Sequence, residues 1–356
     1  MTVVRRKYIL PIFLLFEILV LQLISYFPQE VERYYSNGIY PEMAQFSRIG
    51  LGTFAISIGD CLYAIAIFFL VRWTWIKRKT WRTQWKDHLL QIVSVLAVFY
   101  FFFNFCWGIN YCRQPLYKKL GIEHSYSDAD LYAFTQKLIA KTNNIHRQIV
   151  SDDSLKVVFP YTQEAVFKMN LNGYHHLAKS FPEFTYNNLS IKKSLFSLPL
   201  TYMGFGGYLN PFTNEAQVND LGPMYNFPTT SCHEMAHQLG YASESECNFI
   251  GFLASTHNDD LYIKYSGYSF ALKYCLRNWE IRNPEIRKQL IKTIHPGILK
   301  NYQESEDFWK QYETFIETGF KIFYDNFLKF NQQKDGLESY SKFVNLMVNY
   351  YKGCEL

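Results

Sequence analysis

Three long apolar runs in the first 111 residues, Tyr8–Phe27, Ile49–Val71 and Leu89–Ile109, constrain this 356-residue chain more than any other feature. Each matches the ~20 residues with which a helix crosses a hydrocarbon core of ~30 Å. The reading is a membrane anchor of three transmembrane helices, residues 1–111, followed by an outer domain, residues 112–356. Overall the chain is 49% hydrophobic, an ordinary globular value, so the membrane signal lies in how those residues are segregated. Arg5, Arg6 and Lys7 precede the first run as in a signal peptide. That run exceeds an apolar signal region of about 7–15 residues, and no small-x-small cleavage site follows, which favours an uncleaved anchor. Glu17, Gln22 and Asp60 interrupt the runs. A charge in hydrocarbon costs at least ~2.5 kcal/mol, so these side chains are expected to face other helices or headgroups. With no basic partner in the runs, helix packing is favoured over a proton path.

Basic residues set the orientation. Arg72, Lys77, Arg78, Lys79, Arg82 and Lys86 face a single acid, Asp87, between the second and third runs, whereas Arg33 and Arg48 are outweighed by Glu30, Glu32 and Glu42 between the first two. The second loop is thus expected inside, and everything after about Tyr111 outside. Trp73, Trp75, Trp81, Trp85 and Trp107 fit interfacial belts. A net charge of +5 with no basic block interleaved with aromatics excludes a nucleic-acid groove. Seven cysteines without a CxxC pair imply no disulfide framework.

In the outer part, Ser127 and Asp130 have capping-box spacing and open a helix over Asp128–Val150, with Leu131, Phe134, Leu138, Ile139 and Ile145 on one face. Residues 195–220 are rich in glycine, aromatic and turn residues and predict a β-hairpin around Asn210-Pro211. Beyond Glu244 the pattern is helical almost to the end, with a polar break near Asn331–Gly336.

The chemistry centres on TTSCHEMAHQLG, which contains His233-Glu234-x-x-His237. On a helix, positions i and i+4 share a face, so both imidazoles reach one metal while Glu234 lies beside the water that the metal holds. Zinc suits two histidines, a third protein ligand and an open position. Thr229, Thr230 or Ser231 is expected to cap the helix, and Gly240 to end it in a left-handed turn. For the third ligand, Ser243 and Glu246 have capping-box spacing, which assigns Glu246 to the backbone and favours Glu244. Glu244 and Asn248 then share a face with Gly251, whose bare backbone lets the two helices approach closely.

At these residues HEMAHQLGYASESECNFIGFLA resembles the core of an uncharacterised membrane-anchored family that carries HExxHxxGxxxExExN after three hydrophobic spans. The likeness extends to FFFNFCWGINYCRQPL, GFGGYLNPFTNEAQVN and KDGLESYSKFVNLMVNYY. More remotely the segment is similar to gluzincin peptidases, whose third ligand lies in an E-x-x-A-[DN] segment. This resemblance implies a mainly helical, zincin-like fold with a small sheet before the motif helix, Glu244 as ligand and Asn248 supporting it. Cys247 stands where alanine is usual, a small-for-small change.

The expected activity is a zinc metallopeptidase that hydrolyses peptides or proteins on the outer side of the bilayer, with Glu234 as base and His233, His237 and Glu244 as ligands. The strand near Thr213–Asn219 is the candidate edge for an extended substrate. Tyr202, Tyr208 and His257 are candidate oxyanion donors. The alternative is a catalytically silent metal-binding or partner-binding envelope protein. A transporter ranks last, because three spans with few polar residues make a poor pore. The loop charges predict that a C-terminal reporter fusion is active only outside the cytoplasm while one at Lys77 is active only within it. The reverse pattern would overturn this orientation.

Overall fold

In the computed structural model, which describes residues 7–123, 125–331 and 340–356, the chain is mainly helical with one small sheet among the described residues. The apolar first part forms α1 (Ile9–Ile24), α2 (Tyr40–Leu51), α3 (Ile58–Lys77) and α4 (Trp85–Cys106). Of these, α3 and α4 are long and apolar enough to cross a membrane. The expected first span is shorter than its apolar run. Helix α1 has 16 residues, about 24 Å at 1.5 Å per residue, and a third span exists only if α1 and the stretch Pro28–Leu51, bent by 94°, count as one broken element.

The expected second span, Ile49–Val71, is also displaced. A hydropathy window sums apolar residues without weighing which of them turn the chain. A Cβ on Gly52 would sit 2.4 Å from the Arg48 carbonyl oxygen and 2.6 Å from that of Leu189, so this segment is a turn pressed onto later chain. Ser57 then restarts the helix, its hydroxyl accepting from the Asp60 N–H at 2.9 Å. Asp60 therefore lies in the first turn of α3 and is not held by another apolar helix. Its carboxylate accepts from the Leu195 N–H (2.7 Å), the Ser194 hydroxyl (3.1 Å) and the Tyr208 hydroxyl, which docks the helix on the sheet. Glu17 is buried on α1, which packs along α4.

The remainder includes α5 (Asp128–Ile149), α6 (Gln163–Ser180), α7 (Ser197–Met203), α8 (Phe227–Gln238), α9 (Glu244–Thr256), α10 (Leu261–Arg282), α11 (Pro296–Lys310), α12 (Phe315–Phe330) and α13 (Tyr340–Tyr350), with shorter helices at Leu116–Lys119 and Pro284–Ile291. The Ser127/Asp130 capping box opens α5 as its spacing predicts. Helices α8 and α9 form the centre. Helix α6 crosses both, α10 packs on α9 and α5, and α13 covers α9 and α10 around buried Met235, Ile250, Leu272 and Trp279. Most of the expected break at Asn331–Gly336 lies outside the described residues.

The sheet contains β1 (Ile191–Lys193), β2 (Gly207–Leu209) and β3 (Ala216–Val218) in the order β1-β3-β2. Strands β2 and β3 make the expected hairpin, with Leu209 opposite Ala216, and β1 joins β3 in parallel, with Ile191 opposite Ala216. This corrects the expected substrate edge. Thr213–Asn219 contains the central strand, and the free edge on the hairpin side is β2. The parallel partner was not visible because a three-residue strand ahead of a helix leaves no periodic signal.

The segment between the first two apolar runs is bound into the rest of the molecule. Glu32 meets Arg113 in a bidentate pair, 2.9 and 2.8 Å, and Lys119 at 2.7 Å. The remaining Arg113 arm donates to the Gly240 carbonyl at 2.7 Å, just past the end of α8. Although burial pulls the other way, these cations hold the Glu32 carboxyl below its usual range. Arg113→Met should leave Glu32 poorly compensated and cost about 3 kcal/mol. Combining it with Glu32→Gln should restore part of the loss, because the buried charge goes too. Thermal unfolding in detergent checks both, and a single variant that melts with the wild type would remove this pair from the account of stability.

Candidate metal centre

Helix α8 starts earlier than its Thr-Thr-Ser sequence suggests. Asn226 is the N-cap residue, without a side-chain cap, and Pro228 lies in the first turn, where its missing N–H costs nothing. Thr229 and Ser231 instead hydrogen-bond to Ser266 and to the Phe227 carbonyl. Gly240 closes the helix at φ +85° as expected, and a Cβ there would also meet the Tyr40 ring at 2.9 Å.

On the face of α8 turned to α9, the rings of His233 and His237 lie 4.8 Å apart. The Nδ1 of His233 pairs with Asn248 Oδ1 (2.9 Å), and that of His237 with the Tyr241 carbonyl (2.8 Å), so each ring donates from Nδ1. Both Nε2 lone pairs then point at one carboxylate: Glu244 Oε2 is 3.2 Å from His233 Nε2 and 3.9 Å from His237 Nε2. Gly251 makes this approach possible, since a Cβ there would lie 2.9 Å from the His233 nitrogen. Cys247 sits behind the cluster, its Sγ 3.1 Å from the Tyr241 carbonyl. Three converging acceptors need a positive charge between them, which a proton or a metal ion supplies. Burial lowers His237 to about 4, whereas His233 rises despite burial because it faces Glu244. Glu244 itself is held at about 2 against the effect of burial by its hydrogen bond with His233. A basin with one low carboxylate and two outward-anchored imidazoles fits zinc.

Glu234 is within reach of the same cluster, an oxygen of its carboxylate lying within 4.8 Å of ligand atoms on both histidines. Burial raises this carboxyl to about 8, and Oε2 has no hydrogen-bond partner among the described residues. Strand β2 passes directly over it: a Cβ on Gly207 would fall 2.6 Å from Glu234 Oε1.

Glu246 departs from its expected role. No side-chain cap forms at Ser243, and Glu246 instead accepts from the Leu116 N–H at 2.7 Å, on the side of Arg113. A buried backbone donor 130 residues away in sequence outcompeted the local box. Of the expected oxyanion donors, Tyr208 gives its hydroxyl to Asp60, Tyr202 packs its ring against Tyr312, and His257 Nδ1 bonds the Leu253 carbonyl at the end of α9. Sequence reading missed Tyr324, whose hydroxyl donates to Glu244 Oε1 at 2.8 Å, and Trp107, whose ring stands edge-on to His237 at 6.0 Å. No local pattern marks either residue.

A second group, His146, Asp153 and His295, needs no metal. His146 Nε2 donates to the Leu155 carbonyl and Arg147 donates to His295 Nε2. One proton on His295 Nδ1 then serves both His146 Nδ1 (3.2 Å) and Asp153 Oδ1 (3.4 Å).

A family model described as "Protein of unknown function (DUF3810)" matches residues 35–348, a span that includes every residue of the cluster. No curated protein and no solved structure matches the chain. The geometry predicts that Glu244→Ala abolishes zinc binding, while Glu246→Ala keeps it and costs about 1–3 kcal/mol through the orphaned Leu116 N–H. Metal analysis of the two purified variants checks this, and the opposite pattern would reverse the assignment.

Proposed function

The chain belongs to this family of unknown function, and we propose that it is a membrane-anchored, zinc-dependent metallopeptidase that cleaves peptides or proteins on the outer side of the membrane. One observation carries the reading: two imidazole lone pairs and the Glu244 carboxylate converge beside a buried carboxylate, Glu234, with a free oxygen. His233, His237 and Glu244 would hold the metal, and Asn248, the Tyr241 carbonyl and Tyr324 orient them. When bound, zinc supplies a Lewis acid and brings the pKa of a water toward neutrality.

The chain's own residues account for the rest. Burial favours the protonated form of Glu234, whereas the charge of a bound metal ion would favour the carboxylate, which could then take a proton from the attacking water and return it to the leaving amine. A substrate strand added to the free edge of β2 would run near that carboxylate, which Gly207 allows to lie against the strand. Motif helix, glutamate-bearing second helix and strand edge together support a zincin-like architecture. The basic residues between α3 and α4 favour an inside location for that loop. Trp107 follows directly on α4 and touches His237, which would bring the cluster close to the outer membrane surface.

Glu234→Gln preserves shape but cannot take the proton. It should retain about one zinc per chain while peptide cleavage falls ~10²-fold or more. Metal content and turnover on a peptide library read the two effects separately. Zinc-loaded wild type that cleaves nothing, with a silent Glu234→Gln variant, would favour the partner-binding alternative instead.

A further inference from the structure

Helix α12 is apolar over more of its surface than the protein uses. At 100° per residue, Phe320, Tyr324, Phe327 and Leu328 form one stripe that turns inward. Phe320 and Tyr324 stand edge-on to Phe205 (5.7 and 4.9 Å), Phe327 stands edge-on to Phe103 in the last turn of α4 (5.9 Å), and Leu328 is buried. A second stripe carries Glu317, Lys321, Asp325 and Lys329, which pair with one another along the helix. The third, about 120° wide, holds Phe315, Ile316, Ile322, Phe323 and Phe330. All five are exposed, Phe315 at 86%. A surface helix needs one apolar stripe for its protein and shows water a polar face, so a second such stripe calls for a second apolar medium.

Position identifies that medium. Phe330 borders a cavity shared with Ile18 and Leu21 of α1 and with Tyr100 and Asn104 of α4. Those helices present Leu15, Leu19, Phe101, Phe102 and Phe105 outward, so the exposed stripe of α12 begins where the apolar surface of α1 and α4 ends. We propose that the outward stripe of α12 beds in the outer interface of the lipid bilayer, with the helix lying in the membrane plane. Such a helix sinks about 5–10 Å into the headgroup and acyl boundary, with the paired stripe from Glu317 to Lys329 turned away from the hydrocarbon. The inward face of the same helix holds Tyr324 on Glu244, so a lipid-seated element roofs the metal cluster. This inference rests on the membrane reading above and is independent of peptide cleavage.

The test uses the full chain in nanodiscs of phosphatidylethanolamine and phosphatidylglycerol. A benzophenone-bearing phenylalanine replaces Phe323, Lys321 or, as a reference in α3, Phe69, and adducts are identified by mass spectrometry after illumination. Lipid adducts at Phe323 should approach those at Phe69 and exceed those at Lys321 several-fold. Adducts at Phe69 without any at Phe323, or adducts at Phe323 only to a second copy of the chain, would overturn the proposal. Absence of lipid adducts at Phe69 would overturn the membrane reading with it. None of these readouts requires zinc or turnover, so loss of the peptidase reading leaves them unaffected.

Discussion

The end of the HExxH helix is the point on which the rest of the molecule turns. A helix leaves its last carbonyls unpaired and negative, and buried ones must find donors. Here the Gln238 carbonyl receives Arg48 at 3.0 Å and the Tyr40 hydroxyl at 3.2 Å, and the Gly240 carbonyl receives Arg113 at 2.7 Å. Tyr40 and Arg48 come from α2, between the first two apolar runs. The Gln238 side chain adds bonds to the Ser190 and Asn214 carbonyls, and so ties the same turn to the sheet. The candidate metal cluster and the apolar first part are therefore one packed unit.

A second junction works by the same electrostatics at the opposite helix pole. Glu215, fully buried just before β3, accepts from the Ile58 and Gly59 N–H groups at 3.2 and 2.6 Å, at the positive start of α3. Lys192 of β1 neutralises it at 2.5 Å and donates to the Leu51 and Ile56 carbonyls of the preceding turn. The sheet is thus bolted to the first turn of a helix long enough to cross a membrane. Strand β2 is held by that sheet over Glu234, so the placement of the candidate base depends on where the helix begins.

Absent side chains set the remaining distances. Gly251 lets α9 approach the backbone of His233, which carries Glu244 and Asn248 to the two imidazoles, and Gly207 lets β2 lie on Glu234. At both places a methyl group would intrude by several tenths of an ångström, a displacement comparable with the tolerance of a metal site.

The sequence by itself determined what short-range geometry governs. The 3.6-residue period put His233 and His237 on one face, the Ser127/Asp130 spacing started α5, Gly240 ended α8, and the turn residues made the β2-β3 hairpin. Apolar length also located α4, which starts four residues before the expected span and ends three before its close. Tertiary structure decided whatever depends on a partner remote in the chain: the break at Gly52, the parallel strand β1, the capture of Glu246 by Leu116, and the reach of Tyr324 across 80 positions to Glu244. Periodicity and caps act over about four residues and leave their mark in the local pattern. A buried donor or acceptor takes the best partner that packing offers, at any separation, and a capping box that would serve in isolation loses to it.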